Sequence, residues 1–400
     1  MGNQKIRVLR ITNRLNIGGP TYNVCYLTKH LGDSYKTMLV AGQEDSSEGS
    51  SLYIAKSMGL SPRLIPSMRR SINLSQDRKA YREVRKIIRE FKPHIVHTHA
   101  AKAGAIGRYA AYKEKVPVIL HTYHGHVFHS YFNKVKTGIF LAVERFLARK
   151  SSALIAISPL QKKELSEDYK IASNSKFHTV SLGFDLDRFF ENMDNKRIAF
   201  RKYWRLSDDV LAITLVGRLV PIKNHPFFLK SISFVKSNTN KKFQVFLVGD
   251  GEEKNDLMAL CDHLNLTYSS VPDSSVDVIF TSWISEVDQV FAGIDLVCLS
   301  SKNEGTPVSL IEAGCAGKPF ISTDVGGIRD LLIDPEQGIV TPQNNIEAFR
   351  NALLKWVISA KPGQGLNHDV RNNLSKRYSY KQLCFEMSKV YEELLPSESI

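Results

Sequence analysis

Leu296-Val-Cys-Leu-Ser-Ser-Lys-Asn-Glu-Gly-Thr-Pro-Val-Ser-Leu-Ile-Glu-Ala313 is the stretch on which the reading of this 400-residue chain turns. Leu296–Leu299 has the length and composition of a buried strand, and a polar loop follows at once. Thr306 then reads as a helix N-cap, with Pro307 at the first helical position. The free amides of Val308 and Ser309 would face back over the strand end, forming an anion site suited to a diphosphate. Glu304 lies in the loop and Glu312 nearly two turns inside the helix. Each carboxylate can accept two hydrogen bonds, which suits a vicinal diol on a sugar or ribose ring. The same residues also fit a plain helix start with two solvated acids.

Outward from this unit the pattern repeats. The strand Leu211–Val216 leads into Gly217-Arg-Leu-Val-Pro-Ile-Lys-Asn224, where Gly217 permits close backbone approach and Arg218 and Lys223 could neutralise a diphosphate. A solvated loop is the alternative there. Gln244–Val248, Val278–Phe280 and Pro319–Ser322 read as further strands. The first half alternates likewise, with strands at Lys5–Thr12, Thr37–Ala41, His94–Thr98, Val118–Thr122 and Ala153–Ile157 and helices at Tyr22–Leu31, Gln76–Phe91 and Thr137–Arg149. Alternating strands and helices imply parallel sheets with crossover helices. The boundaries drawn from this pattern are a first α/β domain over 1–190, a second over 191–375, and an amphipathic helix, Tyr378–Leu395, within 376–400. Open parallel sheets bind ligands beyond the carboxyl ends of their strands, and the motifs fall there.

Four segments stand in order: Gly217-Arg218…Lys223-Asn224, Val248-Gly249-Asp250-Gly251, Glu304-Gly-Thr-Pro-Val-Ser-Leu-Ile-Glu312, and Asp324-Val-Gly-Gly-Ile-Arg-Asp-Leu. Together they resemble the donor-binding half of the retaining nucleotide-sugar glycosyltransferases of family 4, strongly over about 210–335 and more loosely over most of 5–190. The resemblance implies the GT-B fold: two Rossmann-like domains facing across a cleft, with a C-terminal helix crossing back to the first. It implies that Arg218 and Lys223 hold the donor diphosphate, that Glu304 contacts the transferred sugar and Glu312 the ribose, and that the amides of Val308 and Ser309 add to the phosphate site. By the same resemblance, Gly249, Gly305, Thr306 and Pro307 are expected to complete the donor-binding loops. It further implies transfer of a hexosyl or N-acetylhexosaminyl group from a UDP-sugar, with retention and without an obligatory metal or other cofactor. The departing phosphate would itself take the acceptor's proton, and no side chain stands out as a nucleophile. The family often has glycine after the strand at 278–280; here Thr281-Ser-Trp283 stands instead, so Trp283 either lines the base pocket or only packs.

In the first half, Gly18 and Gly19 of Asn16-Ile-Gly-Gly-Pro20 open a helix near Thr21, either as a plain turn or as an approach for an anion. The family carries a similar glycine pair near donor phosphate and acceptor. His121-Thr-Tyr-His-Gly-His-Val-Phe-His129 follows a strand, but it lacks helical metal-ligand spacing and a nearby carboxylate, so no metal is expected. The resemblance places a histidine of this loop near the transferred sugar; His124 matches best, with His126 second. His97 and His99 end another strand and read as structural histidines. Arg218, Lys223, Glu304 and His124 are thus the expected catalytic set.

Hydrophobic residues are 43% and charged residues 24% of the chain, which excludes a disordered or fibrous protein. There is no apolar run long enough to span a bilayer, and the N-terminus reads as a first strand rather than a signal peptide. Gly2 is a poor myristoylation site, with Ile6 where Ser or Thr is preferred. The five scattered cysteines read as reduced core residues of a cytoplasmic protein. The net charge of +14 lies wholly in the first half: residues 1–195 hold 31 basic and 16 acidic side chains, the remainder 23 and 24. On the helix Gln76–Phe91, an apolar stripe of Tyr81, Val84, Ile87, Ile88 and Phe91 is flanked by Arg78, Lys79, Arg82, Arg85, Lys86 and Arg89. Tyr131–Arg149 has a similar character. Such helices either lie on anionic lipid or pack their stripe on the sheet with solvated cations. The expected partners are a nucleotide-sugar donor, a lipid-linked or membrane-borne glycan acceptor and the inner face of the plasma membrane. Nucleic acid is not expected, because no stacking ribbon, zinc or helix-turn-helix signature is present. An epimerase or hydrolase on the same fold, and a non-catalytic glycan- or lipid-binding protein, remain the competing readings.

Overall fold

The computed structural model describes residues 5–15, 19–43, 52–69, 71–124 and 134–395. The chain divides into two compact units, Met1–Phe184 with Tyr378–Ile400, and Asp185–Arg377. The first unit carries β1 (Ile6–Thr12), β2 (Tyr35–Gly42), β3 (Arg63–Ile65), β4 (Ile95–His99), β5 (Val118–Tyr123), β6 (Ala153–Ala156) and β7 (Phe177–Thr179). They form one parallel sheet in the order β3-β2-β1-β4-β5-β6-β7. The second unit repeats the plan with β8 (Leu211–Val216), β9 (Phe243–Val248), β10 (Tyr268–Ser269), β11 (Val278–Ser282), β12 (Leu296–Leu299), β13 (Phe320–Thr323) and β14 (Gly338–Thr341). Its order is β10-β11-β9-β8-β12-β13-β14, again parallel throughout.

The central strands are almost wholly buried because helices cover both faces of each sheet, which is why they read as near-continuous apolar runs. In the second unit, Leu211, Ile213 and Leu215 of β8 share a core with Phe228, Ile232, Phe349 and Leu353 from flanking helices. Strand order reverses between β1 and β4 in one sheet and between β8 and β12 in the other. Loops leaving such paired strands diverge to opposite faces and leave a crevice at the carboxyl edge.

Two boundaries fall elsewhere than the sequence pattern placed them. Residues 185–190 belong with the second unit, because Phe189 packs against Phe291 with ring centroids 6.0 Å apart. The following helix, Met193–Tyr203, lies on Val287–Gly293, where Arg197 and Arg201 donate to the carbonyls at that helix's end. The tail is two helices, His368–Tyr378 and Tyr380–Leu394, broken at Ser379. The extended backbone of Ser379 stops the first, and its Oγ accepts from the Gln382 amide to cap the second. Lys376 and Arg377 therefore stay with the second unit. The last helix packs Leu383, Met387, Val390 and Tyr391 into the first unit's core beside Ile6, Val8, Ile95 and Leu120.

Candidate active site

The loops that carry the second unit's motifs leave β8 and β12, the two strands at its switch point. They are laced together by their own polar atoms. Ser300 Oγ donates to the carbonyls of Lys223 and Asn224 at 3.0 and 3.1 Å, and the Lys302 amide donates to Ile222 O at 2.8 Å. This lacing places Lys223 Nζ 2.6 Å from Glu304 Oε1, an oxygen that also accepts from Ser301 Oγ at 2.5 Å. The pair is mostly shielded from water, with side-chain exposures of 20% and 12%. Arg218 is exposed beside it, and no acid among the described residues pairs with it.

Glycines set the height of these loops. Gly249 has φ +146°, and a Cβ there would stand 2.0 Å from the carbonyl oxygen of Gly217. Gly326, at φ +56°, would place a Cβ 1.8 Å from the Glu304 carbonyl oxygen. The turn after β13 is thus pressed against the Glu304–Gly305 loop, and the Gly327 amide donates to Gly305 O at 2.8 Å.

The helix after β12 begins one residue later than the sequence indicated. It spans Val308–Cys315 with Pro307 at the N-cap, where ψ of 106° is extended. Thr306 therefore stands one step outside the cap. Its hydroxyl caps nothing and is buried without a partner. Val308 and Ser309 still open the first turn, where amides lack intrahelical acceptors. Glu312 lies inside this helix, with Arg188 Nη2 3.7 Å from its Oε1. Burial pushes its carboxyl up to about 7; Arg188 works against that rise and Asp288 adds to it. Neither Arg188 nor Ser301 stands out in the sequence: Arg188 reaches Glu312 only through the fold, and Ser301, three residues before Glu304, depends on the turn of its loop. At the end of β11, Ser282 (φ +59°) donates to Asp250, and Trp283, the next residue, is about half exposed.

In the first unit, His124 follows β5 and His99 ends β4. His99 Nδ1 and His124 Nε2 are 2.9 Å apart, while His99 Nε2 and His124 Nδ1 are buried without partners. Desolvation holds His124 down to about 4 and His97, His99 and His121 well below the usual imidazole value, so all four are neutral near pH 7. His97 is structural. Its Nδ1 lies 2.6 Å from Tyr391 Oη and its Nε2 2.7 Å from Thr122 Oγ1. Arg10, fully buried in β1, donates to the same Tyr391 oxygen at 3.0 Å. Because arginine only donates, the Tyr391 oxygen is the acceptor in its bond with Arg10, and the same hydroxyl shares a second hydrogen bond with His97 Nδ1. A charged residue inside the apolar run of β1 was the available signal for this network. Gly19 opens the helix Gly19–His30; Gly18 and His126 lie outside the described residues.

The basic helix spans Leu74–Phe91, and Asn73 Oδ1 caps it by accepting from the Ser75 and Gln76 amides. Its stripe does not face outward: Ala80, Val84, Ile87 and Ile88 are buried among Leu9, Ile11 and Val96 of the sheet. Arg85 and Arg89 both hold Glu114, and Lys86 stands 3.9 Å from Glu90. Arg78, Lys79 and Arg82 remain exposed with no acid paired to them among the described residues. The helix thus offers a membrane its charges but not its apolar face.

Residues 17–188 match the family described as Glycosyltransferase Family 4, and residues 196–377 that described as Glycosyl transferases group 1. The UDP-Gal:alpha-D-GlcNAc-diphosphoundecaprenol alpha-1,3-galactosyltransferase of Escherichia coli is 27% identical over 332 residues, 83% of this chain and 83% of that protein. The capsular polysaccharide biosynthesis glycosyltransferase CapM of Staphylococcus aureus is 23% identical over 330 residues, 82% and 84% of the two chains. The crystal structure of Anabaena Alr3699/HepE in complex with UDP superposes with a TM-score of 0.80 at 16% identity, covering 97% of this chain and 100% of that one. The chain belongs to these glycosyltransferase families, and its two parallel sheets have the GT-B fold. Among the described residues, no helix is long and apolar enough to cross a membrane.

Proposed function

We propose that the protein transfers a hexosyl or N-acetylhexosaminyl group, with retention of anomeric configuration, from a UDP-sugar to a lipid-linked or membrane-borne glycan in polysaccharide assembly. The observation that carries this reading is the Lys223–Glu304 pair at the second unit's switch point, together with the exposed Arg218, which no acid among the described residues pairs, and the first-turn amides of Val308 and Ser309. Lys223 and Ser301 both bind Oε1 of Glu304, which leaves Oε2 for a sugar hydroxyl. The ammonium keeps two further N–H groups for phosphate. As the glycosidic bond breaks, negative charge gathers on the diphosphate, and Arg218, Lys223 and the two amides stabilise it where it forms. Those fixed cations do the work a divalent metal would otherwise do. A phosphate oxygen then takes the acceptor's proton. Glu312 binds the ribose diol, and His124, neutral and with Nδ1 unused, serves the transferred sugar.

The acceptor class draws support from the Escherichia coli relative, named for transfer onto a diphosphoundecaprenol-linked sugar, and the nucleotide from UDP in the Anabaena structure. The basic first half supports a peripheral position on the cytoplasmic face of the plasma membrane. The test is nucleotide release across UDP-, GDP- and ADP-sugars, with and without lipid-linked glycans, using Glu304→Ala as control. Acceptor-dependent release with a UDP-sugar, lost in the variant, is the expected result, and product anomer analysis reports retention. Turnover without acceptor would instead establish an epimerase or hydrolase. Absence of both nucleotide binding and turnover would overturn the transferase reading.

A further inference from the structure

We propose that the outward face of the helix Lys134–Lys150 is the surface by which this protein lies on an anionic lipid membrane. The inward face is fixed. Glu144 is buried, accepts from the single nitrogen Arg108 Nη2 on both carboxylate oxygens at 3.0 and 2.8 Å and takes the Tyr123 hydroxyl at 2.8 Å, while Leu147 and Ala148 enter the core. With that face pinned, Ile139, Val143 and Phe146, at helical spacing, are turned to solvent with exposures of 60%, 43% and 41%. Tyr112 of the neighbouring helix Ala101–Lys113 extends this apolar face, being 41% exposed.

The charge around the face names the occupant. Lys150 Nζ lies 4.3 Å from the centroid of the Tyr112 ring and 5.8 Å from that of Phe146, and Lys113 Nζ lies 5.9 Å from that of Tyr112. Arg149 is exposed at the end of the stripe, and Arg145 donates to the carbonyls of Tyr169 and Lys170, with no acid paired to it among the described residues. Glu144 is the helix's one acid, and it is buried against Arg108. Large apolar side chains rimmed by cations, with no outward acid on the helix itself, fit an interface of acyl chains under anionic headgroups. The helix Leu74–Phe91, in contrast, has its stripe in the core and could add only long-range attraction. This proposal rests on the membrane-borne-acceptor reading for its purpose, and it can be tested apart from it.

Sedimentation with phosphatidylglycerol–phosphatidylcholine vesicles, against phosphatidylcholine alone, is the experiment. Ile139→Ser/Val143→Ser/Phe146→Ser is expected to weaken binding at least tenfold. Lys113→Glu/Arg149→Glu is expected to weaken it by about fivefold or more per cation. Both should keep the wild-type melting temperature and UDP binding. Phe146→Trp should show a blue-shifted emission on the anionic vesicles. Wild-type-like binding by the triple variant, with loss instead in Arg78→Glu/Lys79→Glu/Arg82→Glu, would overturn this face and keep membrane binding. A wild-type dimer in sedimentation velocity that the triple variant abolishes would assign the face to a second copy and overturn the proposal. Absence of vesicle binding by the wild type would overturn it too, and transfer to a lipid-linked acceptor in detergent would then decide separately whether the acceptor reading survives.

Discussion

Lys223 and Glu304 hold one another in a site neither could shape alone. Removing the carboxylate in Glu304→Ala leaves a shielded ammonium facing Ser301 without its counter-charge. We expect a stability loss of about 1–3 kcal/mol in urea unfolding and a fall in turnover of about a hundredfold or more. Glu312 makes a second prediction. Its carboxyl is raised to about 7 by burial, so between pH 4.5 and 7 the folded chain binds a proton that the unfolded chain has released. Stability from this group is fully present below pH 4.5 and is lost as pH rises through about 7. Glu312→Gln should therefore be more stable than the wild type at pH 8, by up to about 2–3 kcal/mol, with the difference vanishing at pH 4. UDP affinity should show the opposite slope if the carboxylate accepts the ribose hydroxyls. Calorimetric titration from pH 6 to 8 would show it strengthening in the wild type and flat in the variant.

Elements explain how those residues are held. The Gly326 turn presses on the Glu304 carbonyl at a left-handed φ, so Gly326→Ala both strains the backbone and pushes the Glu304–Gly305 loop away. Such strain costs about 1–3 kcal/mol; the expected signature is a rise in KM for the UDP-sugar with an intact circular dichroism spectrum. The helix Leu74–Phe91 offers a cleaner control. Asn73→Ala should cost about 1 kcal/mol through its cap without touching UDP binding. Legibility at this scale follows burial. β8 and β12 were readable to the residue because continuous apolar runs fill the sheet centres. β3, β7, β10 and β14 were not, because two to four residues at a sheet edge, partly exposed, carry no periodic signal. The stripe of the basic helix was legible as a pattern but not as a direction, since packing on a sheet and lying on lipid ask for the same spacing.

Across the whole chain, the last helix closes the first unit's core. Tyr391 links it to Arg10 and His97, so Tyr391→Phe leaves a buried guanidinium and a buried imidazole each short of a partner. We expect about 2–4 kcal/mol of lost stability, read as a lower urea midpoint for the first unit. Ending the chain at Arg377 would expose Ile6, Val8 and Ile95 and should yield an insoluble protein. The charge asymmetry, a property of the whole sequence, is distributed by the fold: Arg85 and Arg89 close on Glu114, whereas Arg78, Lys79 and Arg82 are exposed with no acid partner among the described residues.

The sequence by itself determined the two parallel sheets, the strand ends at which the motif loops emerge, the order of those motifs and the basic first half. Each of these is written in local composition and spacing, where backbone geometry and side-chain chemistry act over a few residues. Only the tertiary structure decided that Lys223 meets Glu304 across 81 positions, that His97 serves the last helix while His99 serves His124, and which basic helix keeps an apolar face in solvent. Those outcomes depend on contacts between elements far apart in the chain, and burial, which sets the charge state of Glu312 and His124, exists only once such contacts have formed.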